Sequence, residues 1–162
     1  MERISFDKFT ESLAPEEMAS GSVFGALSDD ATRFLLQQGK LYEVPKGDAV
    51  FEYGDHGDSF YVVCGGSLDF FKQHKGEWCH IRAIRFGEET GFVPMIALHK
   101  QVGTAVARED SIVLEISSAL FAELQQKYSL DFGLLVLNLA REMARVIDKM
   151  GEALVEDVIR RD

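Results

Sequence analysis

Over the first 39 residues the apolar positions recur at helical spacing, first as Phe6, Phe9 and Leu13 and then, after a break at Ser20-Gly21, as Phe34, Leu35 and Leu36. This pattern predicts helix over 3–38 in two pieces. Ser28 suits the N-cap of the second piece, and Asp29 and Asp30 fall in its first turn, where the helix dipole favours acids. Gly39 is the expected stop.

From 40 to about 116 the texture changes to short runs rich in β-branched and aromatic residues: LYEV, AVFEY, SFYVV, SLDFF, WCHIRAI, TAVA and IVLEI. Turns containing Gly, Pro, Asp and His separate them. Pro45 to Asp48 reads as a turn before a strand, and Gly54-Asp55-His56-Gly57-Asp58 as a loop whose residues tolerate positive φ. Gly65-Gly66 reads as the closure of a hairpin between SFYVV and SLDFF. Strands of this length and number predict an antiparallel double-stranded β-helix, or jelly roll, of roughly eight strands.

Helical spacing returns after Ser117-Ser118, first with Leu120, Phe121 and Leu124 and then from about Asp131 to the end. In the last helix Ala140, Met143, Ile147, Met150 and Leu154 step alternately by three and four, the spacing of a coiled-coil seam. Leu135, Leu139 and Val146 form a second stripe suited to packing on the roll. A helix apolar on two sides wants two partners, so the expectation is a homodimer through this helix. The fold class is therefore mainly β with flanking helices: N-terminal helices over 1–39, a β-roll over 40–117, and C-terminal helices including the dimerisation helix over 118–162.

Composition narrows the function. The chain of 162 residues is 46% hydrophobic, enough for one packed core and too little chain for two. A formal charge of -10 repels phosphate, which argues against DNA, RNA or an acidic membrane as a direct partner. No stretch approaches the ~18 uninterrupted apolar residues of a membrane span, and the N-terminus has no apolar signal core. Cys64 and Cys79 form no CxxC pair, and a reduced, cytoplasmic setting fits them. There is no GxSxG, Walker loop or HExxH, so the expectation is a non-enzyme.

Two segments carry a more specific signal. One runs PKGDAVFEYGDHGDSFYVVCGGSLDFF over 45–71; the other is Phe86-Gly87-Glu88, followed by Gly103-Thr104-Ala105-Val106-Ala107-Arg108-Glu109-Asp110. In order and spacing they resemble the cyclic-nucleotide-binding domain of the catabolite-activator (CRP/FNR-like) superfamily, over roughly 22–159. That resemblance implies a regulatory, effector-sensing domain whose ligand is a cyclic nucleotide or another small effector, and whose long helix moves against the roll. It also implies a phosphate-binding cassette at Phe86-Gly87-Glu88, in which Gly87 admits the ligand and Glu88 accepts a hydrogen bond from a ribose hydroxyl. A short helix would then present N–H groups to the phosphate, and an arginine would neutralise it.

The chain departs from that pattern at the anion. The arginine position falls on Gln101 and the small hydroxyl position on Val102, with Thr104 next on the same strand. The stretch EETGFVPMIALHKQ is longer than usual, and Glu89 adds an acid beside the expected phosphate. A hydrogen bond to a charged group is worth roughly 1.5–3 kcal/mol, so its loss should weaken binding about 10- to 150-fold. Lys100 or Arg108 would have to substitute. The pocket is therefore expected to be degenerate, and a ligand-free protein-interaction module, or a sensor acting through a separate partner, is the alternative. A winged helix-turn-helix has no counterpart before Asp162, and the initiator Met1 favours a stand-alone domain. Among His56, His74, His80 and His99 only His99, in the cassette loop, is expected to face the pocket, and none has metal-ligand spacing.

Overall fold

The computed structural model describes residues 1–161; Asp162, the last residue of the third expected segment, lies outside them. Among the described residues nine strands form two antiparallel sheets. The strands are β1 Glu2–Ile4, β2 Lys40–Val44, β3 Ala49–Phe51, β4 Ser59–Gly65, β5 Leu68–His74, β6 Glu77–Ile84, β7 Glu89–Thr90, β8 Thr104–Ala107 and β9 Ser111–Ser117. One sheet has the order β1-β2-β9-β4-β7 and the other β3-β8-β5-β6. The helices are α1 Phe6–Thr10, α2 Asp29–Gln38, α3 Phe92–Ala97, α4 Ser118–Lys127 and α5 Ser129–Arg161, with a 3₁₀ segment at Pro15–Ser20.

The period of two in the strands sorts side chains into two cores. In β4, Phe60, Val62 and Cys64 face outward beneath the helices, joining Leu35, Leu36, Leu114, Ile116, Leu124, Leu135 and Leu139. Val63 faces the other way, between the sheets, with Val44, Phe51, Leu68, Ile84, Ala105 and Val113. Tyr61 and Phe70 close this inner core: the Phe51 ring lies 5.7 Å from Tyr61 and 6.5 Å from Phe70.

Two sequence expectations change here. Residues 2–4 are a strand because β2 leaves an open edge, and Ile4 pairs with Leu41 on it. Ser5 then caps α1 through the N–H of Lys8. Gly65-Gly66 does not close a hairpin: β4 and β5 belong to different sheets, and Gly66, at φ +70, turns the chain from one to the other. Ser28 does cap α2, accepting the Ala31 N–H at 3.2 Å. Gly39 ends that helix in extended backbone at φ -70; a side chain there would meet Leu114 Cδ1 at 2.6 Å.

Helix α5 begins at Ser129. Its stripe of Leu135 and Leu139 is fully buried, and Met143 also turns to this core instead of joining the exposed seam. Asn138, between them, donates to the carbonyl oxygens of Val23 at 3.1 Å and Gly25 at 2.7 Å. The opposite face exposes Leu134, Leu137, Ile147, Leu154 and Val158. With Ala140, Ala144 and Gly151 these step alternately by three and four from Leu137 to Val158.

Candidate functional site

The end of the roll under α5 is built by the tight turn from Arg85 to Glu88 and by the strand and helix that follow. Gly87 sits at φ +75, donates to the Val63 carbonyl at 2.8 Å and packs directly on Gly21. The close approach that Gly87 permits is therefore to the chain's own backbone. The Glu88 carboxylate closes its own turn, accepting the Arg85 N–H at 2.7 Å.

Glu89 is the acid that faces inward. It is 5% exposed, and its carboxylate accepts the N–H of Phe92 at 3.1 Å, the first residue of α3. That N–H is thus already occupied by an internal acid. Burial pushes the Glu89 carboxyl above the ordinary carboxylate range, opposed by the charge of Arg82. Arg82 lies two residues before buried Ile84 on the same face of β6, and its guanidinium donates to the Glu89 carbonyl at 2.7 Å.

Gln101 is buried, at 3% exposure, and its backbone is fixed by the 54–55 loop: its carbonyl accepts from Gly54 and its N–H donates to Asp55, each at 2.9 Å. A side chain at Gly91 would meet Gln101 Nε2 at 3.2 Å, so the carboxamide lies against the cassette turn. Thr104, half-buried, accepts the Tyr53 N–H at 3.1 Å, while Val102 is half-buried beside it. The structure therefore gathers Gln101, Gly91 and Glu89 at one end of the roll, and commits Gly87 and Glu88 to holding the turn.

Several expected substitutes do not reach this place. Arg108 is exposed, with Nε 4.0 Å from Asp69 Oδ2, and Lys100 is exposed behind α3. His99 is exposed too, and lines an outer cleft with His56, Asp58 and Leu98 instead of facing the roll. Its position follows from Leu98, which leaves α3 in left-handed backbone at φ +57 and turns the chain outward. Among the described residues no group of three His, Cys, Asp or Glu is placed to hold a metal ion.

Sequence reasoning missed Glu142, on α5. It is 6% exposed, accepts the Ser22 hydroxyl at 3.1 Å and the Glu89 N–H at 3.3 Å, and so joins the long helix to the cassette. The signal was present: Glu142 lies three residues after Leu139 and four before Val146, on the stripe read as apolar. Burial, and then the neighbouring Glu89, push its carboxyl up to about 7.

A two-sheet roll carrying a Gly-Glu turn, a short cassette helix and a long C-terminal helix is the architecture of the cyclic nucleotide-binding fold. The match to the cyclic nucleotide-binding domain family covers residues 41–128, more than half of the chain, and the protein belongs to that family. It is 24% identical over 102 residues to a cAMP-dependent protein kinase regulatory subunit of Yarrowia lipolytica, spanning 63% of this chain and 26% of that one. The chain thus spans about a quarter of the length of the curated relatives it matches. Among solved structures, a cyclic nucleotide-binding domain from Methylobacillus flagellatus superimposes with a TM-score of 0.79 at 17% identity, covering 96% of this chain and 88% of that one. The catabolite activator protein of Thermus thermophilus gives 0.72 at 23% identity, covering 86% and 63%. At these identities the likeness is one of fold.

Proposed function

We propose that the chain is a non-enzymatic regulatory domain with an altered cassette that does not bind cAMP or cGMP tightly. The observation that carries this is the buried, uncharged Gln101 where the family resemblance puts an arginine. The positions on the ligand side in this reading are Gln101, Val102 and Thr104, with Gly87 and Glu88 holding the turn beside them. The inward Glu89 strengthens it, because its buried carboxyl already accepts the first N–H of α3, the group the cassette would turn to a phosphate. The output element is α5, which a second copy covers to form a homodimer.

A free, exposed Cys79 and a buried, unpaired Cys64 support a reducing, cytoplasmic setting. Among the described residues no helix is long and apolar enough to cross a membrane. The chain's charge of -10 supports a role without direct DNA contact. The exposed apolar face of α5 favours a second reading, in which the domain is a ligand-free scaffold that recruits a protein partner.

Calorimetry with cAMP and cGMP on the native chain and on Gln101→Arg tests the proposal. The expected result is no binding at tens of micromolar nucleotide for the native chain and a gain of about tenfold or more in the variant. Micromolar binding by the native chain would overturn it.

A further inference from the structure

The contact between α5 and the cassette supports one step more, which rests on reading this end of the roll as its regulatory site. Ser22 Oγ lies 3.1 Å from Glu142 Oε1 and 3.2 Å from the carbonyl oxygen of Gly87. A hydroxyl has one hydrogen and can serve only one of two acceptors. With Glu142 ionised, one of these contacts is left without a proton. With Glu142 protonated, its O–H donates to Ser22 Oγ, Ser22 donates to Gly87, and both contacts are hydrogen bonds. Oε2 accepts the Glu89 N–H in either case.

Burial and the neighbouring acids favour the same state, against the hydrogen bond donated by Ser22, which by itself favours the ionised carboxylate. Glu89, from β7, is buried and acts on Glu142, Glu88 in the preceding turn adds a weaker negative charge, and Arg82 from β6 opposes both. The Arg82 guanidinium is engaged with the Glu89 carbonyl, so it compensates the two buried carboxyls only in part. We infer that Glu142 is a proton-operated tie, which when protonated clasps α5 onto Ser22 and the Gly87–Glu89 segment and when ionised loosens that clasp.

The direction of the effect follows from proton counting. The docked form holds a proton on Glu142 up to about pH 7, whereas an undocked, solvated Glu releases it in the ordinary carboxylate range. Docking therefore weakens as pH rises from that range to about 7, and changes little above it.

Amide hydrogen exchange on the full chain without nucleotide, corrected for intrinsic rates, tests this at 86–92 and 138–146 between pH 5 and 8. Protection should fall by up to about tenfold per pH unit and level off near 7. Glu142→Gln keeps the geometry without the charge and should flatten the slope at 138–146, leaving at 86–92 only what Glu89 contributes, whereas Glu89→Gln should keep the slope at 138–146 and move it to lower pH. A wild-type profile without slope, or a slope at 138–146 as steep in Glu142→Gln as in the wild type, would overturn the inference. Carbon-13 titration of the assigned wild-type glutamate carboxyls gives a second reading that does not depend on any variant folding: the Glu142 carboxyl should titrate near 7, and a Glu142 carboxyl in the ordinary range sinks the idea whatever Glu89 does. Nucleotide binding is read separately by calorimetry, so failure of the degenerate-pocket reading would leave this result standing.

Discussion

Gly21 and Gly87 meet backbone to backbone: a Cβ on Gly87 would lie 2.2 Å from Gly21 Cα, and one on Gly21 would lie 2.5 Å from Gly87 Cα. Val23 donates to the Gly87 carbonyl at 3.0 Å, so the loop before α2 is laid directly onto the cassette turn. Neither backbone can retreat without breaking that bond.

Gly87→Ala should therefore destabilise the fold by more than its positive φ alone requires, which is about 1–2 kcal/mol. Gly47→Ala provides the comparison, because Gly47 is also left-handed, at φ +88, with nothing within 4 Å of the added carbon. Urea unfolding should rank Gly87→Ala well below Gly47→Ala, and equal midpoints would show that the contact yields.

Asn138 is the polar counterpart of this packing. Its amide, buried on α5, serves two carbonyls of the 23–25 loop. Asn138→Ala leaves both oxygens without that donor, at a cost of about 1–3 kcal/mol for burial without a partner. Chemical denaturation should show this loss, whereas Arg145→Ala, on the exposed face of the same helix, should stay within about 0.5 kcal/mol of wild type.

The roll was legible because its strands announce themselves locally. SFYVV and IVLEI are rich in β-branched and aromatic residues, and they lie within β4 and β9. Strand β1 was not legible, because ERI owes its conformation to the free edge of β2, a partner far along the chain: Ile4 pairs with Leu41 and Glu2 with Glu43. The exchange between sheets at Gly66 was hidden for a related reason, since a glycine turn looks the same whether its strands pair or part. At the site, the change at Gln101 could be read from motif order alone. The division of labour between Glu88 and Glu89 could not, because it depends on which of two adjacent acids the turn directs inward. Glu142 escaped because a single acid in an apolar stripe is invisible to a pattern that counts apolar residues.

The two cysteines should behave as opposites toward thiol reagents. Cys64 is 3% exposed, and desolvation pushes its thiol up to about 12, so the reactive thiolate is scarce at neutral pH. Cys79 lies exposed on β6. Titration with a chromogenic disulfide should give one fast equivalent in the folded chain and a second only on unfolding. Two fast equivalents would mean that the layer beneath the helices opens readily.

The exposed seam of α5 gives the test that separates assembly from folding. Ile147 and Leu154 are 68% and 65% exposed, and the small residues Ala144 before them and Gly151 between them allow close approach of a second helix. Leu135 and Leu139, on the other face, are fully buried in the chain's own core. Charges introduced by Ile147→Glu with Leu154→Glu should leave the unfolding of the roll nearly unchanged and convert the protein to a monomer by light scattering at tens of micromolar. Leu139→Ala should do the reverse, costing about 2–5 kcal/mol through the cavity it leaves, without altering the seam. A native chain that scatters as a monomer at that concentration would remove the dimer. The exposed apolar face would then remain as the surface of the scaffold reading, and the double glutamate variant would be the control for any partner that binds it.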